Sequence, residues 1–352
     1  MANKNTNLQY AKSAKDDEFY TTYETVENEL KHYAKHFTNK TVLCNCDDPF
    51  ESNFCKYFLK NFNILGLKRL ICTSYGFSKV AGIQKKLLKS KKKNKGYVLD
   101  VTKFSESNEI FSDEFIEKFL TTSCVIKELY GDGDFRSAEC IEYLIQSDIV
   151  VTNPPFSLFK ELLAQILMYE KKYLLIGNQN ALTYKEIFPL IQNNEAWTGY
   201  QFGEMKFRVP DSSEPRKTRY WVDENGQKWR SLGNAMWLTN LDIERRHKKM
   251  KLTKYYNPID YPKYDLYDAI NVKKITDIPC DYDGIMGVPI TIINRFNVEQ
   301  FDIIGEANHG SDNEYDLFKP TIDGKEIFKR ILIKNKNPLT PKGNKKYEDW
   351  KI

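Results

Sequence analysis

Ile149-Val150-Val151-Thr152 is a run of buried-strand residues that ends abruptly in Asn153-Pro154-Pro155-Phe156. The two prolines fix φ and lack N–H groups, so strand pairing must stop there. Ser157 to Leu163 then opens a helix, with Pro155 and Ser157 suited to its first turn. Strand, stiff turn and helix in that order are the unit of an open α/β sheet, which binds ligands outside the carboxyl ends of its strands.

Two readings of the turn compete. In the bland one, Asn153 merely caps a strand-to-helix turn, since Asn-Pro is a common turn signal. In the chemical one, the turn handles a planar amino group conjugated to a ring, such as N6 of adenine. That nitrogen is a poor nucleophile because its lone pair is delocalised. The Asn153 side-chain oxygen and the Pro154 carbonyl can accept its two hydrogens, and Phe156 can stack on the ring. A strand before the turn and phenylalanine in fourth place favour the chemical reading.

Strands and helices alternate along the first part of the chain. Thr41–Cys46, Leu70–Thr73, Tyr97–Leu99, Cys124–Ile126, Asp148–Thr152 and Tyr173–Ile176 read as strands. Helices are expected at Thr21–Phe37, around Phe54, Phe58 and Phe62, at Ser137–Ile145, Leu158–Met168 and Tyr184–Ile191. The first has a capping box, Thr21-x-x-Glu24, and an apolar stripe of Tyr23, Val26, Leu30, Tyr33 and Phe37. The pattern predicts a mostly parallel α/β sheet with helices on both faces. After about residue 197 it changes. Trp197–Val209 and Ala235–Leu241 read as strands flanking an arginine- and aromatic-rich loop, with Trp237 suited to the core or to stacking a base. Beyond 245 come short strands and Gly/Pro-punctuated segments, the marks of a smaller, irregular α+β region. The division expected is an arm at 1–15, a large domain at 16–245, a smaller one at 246–336 and a loose tail at 337–352. The large domain contains a lysine-rich excursion at 76–96 and the loop at 200–232.

No stretch of the 352 residues approaches the roughly 20 apolar residues that span a bilayer. The polar amino terminus lacks a secretory core, so a cytoplasmic location is expected. The odd count of seven cysteines fits reduced core thiols rather than disulfides, and Cys44-x-Cys46 lacks the second pair that a zinc site needs, so no metal is expected. Net charge is only +5, but Arg208, Arg216, Lys217 and Arg219 crowd a segment interleaved with Tyr220, Trp221 and Trp229. Arginines mixed with aromatics suit a polyanion.

No dinucleotide or P-loop glycine pattern is present. S-adenosylmethionine has no phosphate to cradle, but its ammonium, ribose and adenine can be held by acidic side chains. Asp47 and Asp48 follow the first strand and suit the ammonium and ribose. Asp134 with Phe135 suits the adenine, although each aspartate could equally be a cap or turn residue.

The chain resembles the EcoRI-type adenine-specific DNA methyltransferases of restriction–modification systems. The stretches DEFYTTYETVENEL, CNCDDPFESNF, GDGDFRSAE, SDIVVTNPPFSLFKE, WLTNLD, YPKYDLYDAINV and DIPCDYDGIMGVPIT carry the likeness, which runs from about residue 16 to 336. NPPF is shared by many amino methyltransferases; CNCDDP with SNF and WLTNLD is far more restrictive. The resemblance implies a Rossmann-like methyltransferase sheet with a carboxyl-terminal DNA-recognition region. It implies that Phe19, Tyr20 and Thr21 help hold the methionine part of S-adenosylmethionine, and that Cys46, Asp47, Asp48 and Pro49 form the cofactor loop. Asp134, Phe135 and Asn153 complete that set, and Asn153, Pro154, Pro155 and Phe156 form the catalytic turn. Arg208, Arg216, Lys217, Arg219, Lys273 and Lys274 are then the candidate contacts to double-stranded DNA. A separate restriction endonuclease is the implied functional partner, and a monomer is expected. An enzyme of the same fold acting on RNA adenine or protein glutamine, or a non-catalytic DNA-binding relative, are the alternatives.

Overall fold

The computed structural model describes residues 19–76, 95–103, 118–120, 125–211, 213–307 and 320–339. The expected arm, most of the lysine-rich excursion, Cys124 and the tail beyond 339 lie outside them. In chain order the first elements are β1 (Tyr20–Thr21), α1 (Tyr23–Leu30), β2 (Thr41–Cys44), α2 (Asn53–Lys60), β3 (Arg69–Ser74), β4 (Tyr97–Val101), β5 (Ile126–Glu128), α3 (Ala138–Gln146), β6 (Ile149–Thr152), α4 (Phe159–Met168), β7 (Lys172–Asn178) and α5 (Phe188–Gln192). They are followed by β8 (Trp197–Arg208), β9 (Tyr220–Val222) and β10 (Lys228–Thr239).

These strands form one sheet in the order β1-β8-β10-β7-β6-β2-β3-β4-β5, with β9 paired to β10. At its centre β7, β6, β2 and β3 run parallel. Every residue of β2 and β6 is buried, as parallel strands covered on both faces require. The flanks are antiparallel: β10 against β7, and β4 against both β3 and β5. The sheet is therefore mixed, which corrects the expectation of a mostly parallel one. A parallel neighbour needs a long crossover, and connections such as the Asp223–Gln227 turn between β9 and β10 are too short for anything but a hairpin. Within the expected loop at 200–232, residues 200–208, 220–222 and 228–232 are strand.

The stripe of the first helix is buried as its spacing requires, with Val26, Leu30, Tyr33 and Phe37 all at 0% exposure. Its cap is Thr22, whose hydroxyl accepts from the Thr25 N–H at 3.2 Å, rather than Thr21. Thr21 belongs to β1, in register with Phe207 of β8. The Glu29 carboxylate on α1 accepts the Tyr200 and Gln201 N–H groups of β8 at 2.6 and 2.7 Å and the Tyr33 hydroxyl at 2.9 Å. Burial pushes its pKa up. Trp237 is wholly buried against Phe54, with ring centroids 5.8 Å apart, and so is a core residue. Cys44, Cys55, Cys72, Cys140 and Cys280 are buried and Cys46 half-buried, all as free thiols.

The chain divides into two compact units: the described residues up to Ala181 with Thr198–Leu241, and Leu182–Trp197 with the described residues from Asp242 on. Residues 182–197 thus fall in the second unit rather than in the large domain. There the side-chain amide of Gln192 on α5 donates to the Ile303 and Ile304 carbonyls. The start of α5 at Phe188, later than expected, is set by Pro189 in its first turn. The second unit adds β11 (Ala269–Asn271), β12 (Ile285–Val288), β13 (Phe301–Ala307), β14 (Thr321–Ile322), β15 (Lys325–Glu326) and β16 (Arg330–Asn335). Its sheet runs β11-β12-β16-β13, beside a β14–β15 hairpin. Among the described residues no helix is long and apolar enough to cross a membrane.

Candidate active site

The carboxyl ends of β2, β3 and β6 lead into a cavity lined by β1, the Asn45–Phe54 loop, Tyr75, the Gly133–Arg136 turn, Asn153, Pro155 and Leu158. Phe19, Tyr20, Thr21, Cys46, Asp47, Asp48, Asp134, Phe135, Asn153 and Pro155, all singled out in the sequence, line this one cavity. Pro49, Pro154 and Phe156 are not among its lining residues. Phe156 lies beside it, its ring 5.4 Å from that of Phe19.

The catalytic-turn candidate is held from three sides. After Thr152 the chain makes a further turn, in which the Leu158 N–H donates to the Pro155 carbonyl at 2.8 Å. Helix α4 therefore begins at Phe159, and Ser157 is not its cap. The Asn153 amide nitrogen donates to the Phe19 carbonyl at 2.6 Å and to the Thr21 hydroxyl at 3.2 Å. A carbonyl can only accept, so the amide has one possible orientation. Its oxygen is buried and has no hydrogen-bond partner among the described residues. Buried acceptors are rarely left so.

Asp47 is knitted into the same corner. Its carboxylate accepts the Ser52 hydroxyl at 2.8 Å, the Thr152 hydroxyl at 2.6 Å and the Asn153 N–H. Burial raises its pKa to about 7, against those hydrogen bonds. Asp48 turns the loop, accepting the Phe50 N–H at 2.9 Å. Ser52 also caps α2 by accepting from Phe54 and Cys55. Both aspartates thus organise the loop as well as line the cavity.

In the Gly133–Arg136 turn Asp134 is paired with Arg136 at 2.6 Å, and the guanidinium, the leading cause, holds the Asp134 carboxyl below its ordinary range. Arg136 also reaches Glu161 at 2.9 Å. Gly133 has φ +80°, and a Cβ there would overlap the Ser74 carbonyl, so the turn needs glycine to lie against β3.

The family model described as "Adenine-specific methyltransferase EcoRI" matches residues 7–338. The chain belongs to that family of adenine-specific methyltransferases. It is 48% identical to the Type II methyltransferase M.EcoRI of Escherichia coli over 96% of this chain and 99% of that protein. It is 36% identical to the Type II methyltransferase M.MgeORF184P of Mycoplasma genitalium, with 84% of each chain covered. The Type II methyltransferase M.MpnI of Mycoplasma pneumoniae is 35% identical over 84% of this chain and 83% of its own. No solved structure matches.

For a member of this family the sequence missed several lining residues. Asn45 has a buried side-chain oxygen with no hydrogen-bond partner among the described residues. Its signal was a polar residue between two core cysteines. Asn53 donates to the Thr21 carbonyl at 2.7 Å, and Glu51, Tyr75 and Arg136 complete the wall. Of the cationic candidates, Arg216, Lys217, Lys273 and Lys274 are exposed. Arg219 pairs with Glu204 at 3.2 Å and Arg208 with Glu51 at 2.6 Å.

Proposed function

We propose that this adenine-specific DNA methyltransferase holds S-adenosylmethionine in the cavity of the first unit and catalyses at the Asn153–Phe156 turn. The residues present fit the cofactor. Phe19, Phe54 and Phe135 offer aromatic surface, Asn45 offers a buried carbonyl oxygen, and Glu51 offers a carboxylate. That set suits a cationic, phosphate-free nucleoside. When bound, the cofactor supplies an electrophilic methyl group on a sulfonium sulfur.

The chain contributes positioning and electrostatics. Asn153 Oδ1 and the Pro154 carbonyl accept the two N6 hydrogens of an adenine turned out of the duplex, and Phe156 stacks on the ring. An amino nitrogen held so presents its lone pair instead of conjugating it. Because the surplus proton leaves after transfer, no strong base is required. The observation that carries this reading is the Asn153 amide, whose nitrogen is consumed by β1 and whose oxygen is left without a partner in the cavity.

The finer assignments belong to the same proposal. The parallel centre with its ligand edge is a Rossmann-like arrangement, and the second unit, with the segment joining β8 to β9, reads the target. Arg216 and Lys217 on that segment, and Lys273 and Lys274 in the second unit, meet DNA. Arg219, turned toward Glu204, is the weaker candidate. The enzyme acts as a cytoplasmic monomer paired with a separate endonuclease.

The test is single-molecule long-read sequencing of unmethylated plasmid treated with purified protein and S-adenosylmethionine. N6-methyladenine confined to one short motif is expected. Cofactor binding with no methylated DNA base would move the reaction to RNA or protein.

A further inference from the structure

We infer that Arg208 is a positioning residue for the cofactor cavity, acting through Glu51 and β1, and not a DNA contact. The inference rests on the cavity being the S-adenosylmethionine site. Alternation along β8 buries Met205 and Phe207 and turns Glu204, Lys206 and Arg208 outward, so a cationic outward face is what the sequence suggests. The structure gives Arg208 a different task. Its guanidinium lies 2.6 Å from Glu51 and over the Tyr20 ring at 5.3 Å. The side chains of Arg208 and Glu51 are 38% and 22% exposed, so the pair is partly screened from bulk water.

The two partners lie on different walls of the cavity. Glu51 belongs to the loop after β2, whereas Tyr20 is β1 itself and is opposite Arg208 in the sheet register. β1 in turn presents the Phe19 carbonyl and Thr21 hydroxyl that orient Asn153. A single guanidinium thus ties the cofactor loop to the strand that aims the catalytic amide. A planar guanidinium that donates to Glu51 while packing on an aromatic face suits this role better than a compact, strongly hydrated ammonium. Removing it leaves the Glu51 carboxylate uncompensated and β1 held at one end less.

The experiment compares R208Q, R208K and E51Q with the wild type in two binding assays. Calorimetry with S-adenosylmethionine and S-adenosylhomocysteine reads the cavity. The salt dependence of binding to a duplex that the wild type methylates, measured without cofactor, reads DNA contacts. For R208Q a rise of about tenfold in cofactor Kd is expected, with the salt slope unchanged. A lost phosphate contact would instead lower that slope by about 1. E51Q removes both the Arg208 pair and the carboxylate that lines the cavity, so it should weaken cofactor binding at least as much as R208Q, again with the salt slope unchanged. R208K keeps a cation for a phosphate but not the fork, so it should weaken cofactor binding while leaving the DNA slope intact, and it serves if R208Q does not fold. A lowered slope with unchanged cofactor Kd in R208Q, or an unchanged cofactor Kd in R208K, would overturn the inference. Failure of the wild type to bind either cofactor probe would instead overturn the reading of the cavity itself.

Discussion

The Asn153–Phe156 turn closes β6 with two prolines and no glycine, whereas the Gly131–Phe135 turn depends on a glycine at φ +80°. Both line one cavity, yet they settle their polar groups in opposite ways. Asp134 is satisfied within its own turn by Arg136, which leaves an ion pair facing the cavity. Among the described residues Asn153 is satisfied only on its donor side, by Phe19 and by Thr21 of β1, the latter 132 residues away in sequence. The glycine-dependent turn has its own chemistry complete; the proline turn has an acceptor in reserve. One turn settles its polar group locally; the other needs a distant strand to orient it.

The contrast can be broken at the largest effect first. Asn153→Ala should lower kcat by about 100- to 1,000-fold, the scale of losing one preorganised hydrogen-bonding group. Cofactor Kd should move less than about threefold, as calorimetry and single-turnover assays can check. Asp134→Ala should do the reverse, raising cofactor Kd about tenfold with kcat nearly intact, since it removes one charge-assisted partner. If it were to abolish turnover at saturating cofactor, the division of labour between the turns would be wrong. Thr21→Val keeps the shape of β1 and deletes one acceptor from the Asn153 amide, so kcat should fall about three- to tenfold with cofactor affinity preserved.

The smallest effect is read in stability against pH. Asp47 keeps its proton in the folded protein up to about pH 7, compared with 3.8 for an ordinary aspartate. The unfolded chain therefore binds fewer protons across that window, and stability falls as pH rises through it. Asp134 has the opposite sign: its carboxyl is held below 3.8 by Arg136, and its contribution is lost only in acid. Asp47→Asn should flatten the dependence of the urea midpoint on pH between about 5 and 7, and an unchanged slope would show that Asp47 titrates normally.

The central fold was legible because burial and periodicity act locally. Val26, Leu30, Tyr33 and Phe37 repeat at helical spacing, and Ile149–Val151 is apolar throughout, so element type followed from residue order. The antiparallel flanks were not legible, since strand direction is fixed by connections rather than by composition. The site divided along similar lines. Asp47, Asp134 and Asn153 sit where strands end and could be found. Asn45 and Glu51 could not, because one is a lone amide between thiols and the other looks like any acidic loop residue. The Thr22 cap was missed for a related reason: Thr21 has the better capping spacing, but tertiary pairing with Phe207 claims it first.

The buried thiols carry a practical consequence. Cys44, Cys55 and Cys72 sit on β2, α2 and β3, wholly shielded, and burial pushes the Cys44 thiol up to about 11. A sulfhydryl reagent attacks the thiolate, so these groups stay silent while the parallel core is closed and become reactive once it parts. Timed alkylation followed by mass spectrometry would record how often the core of the first unit opens, at three named positions and without any introduced label.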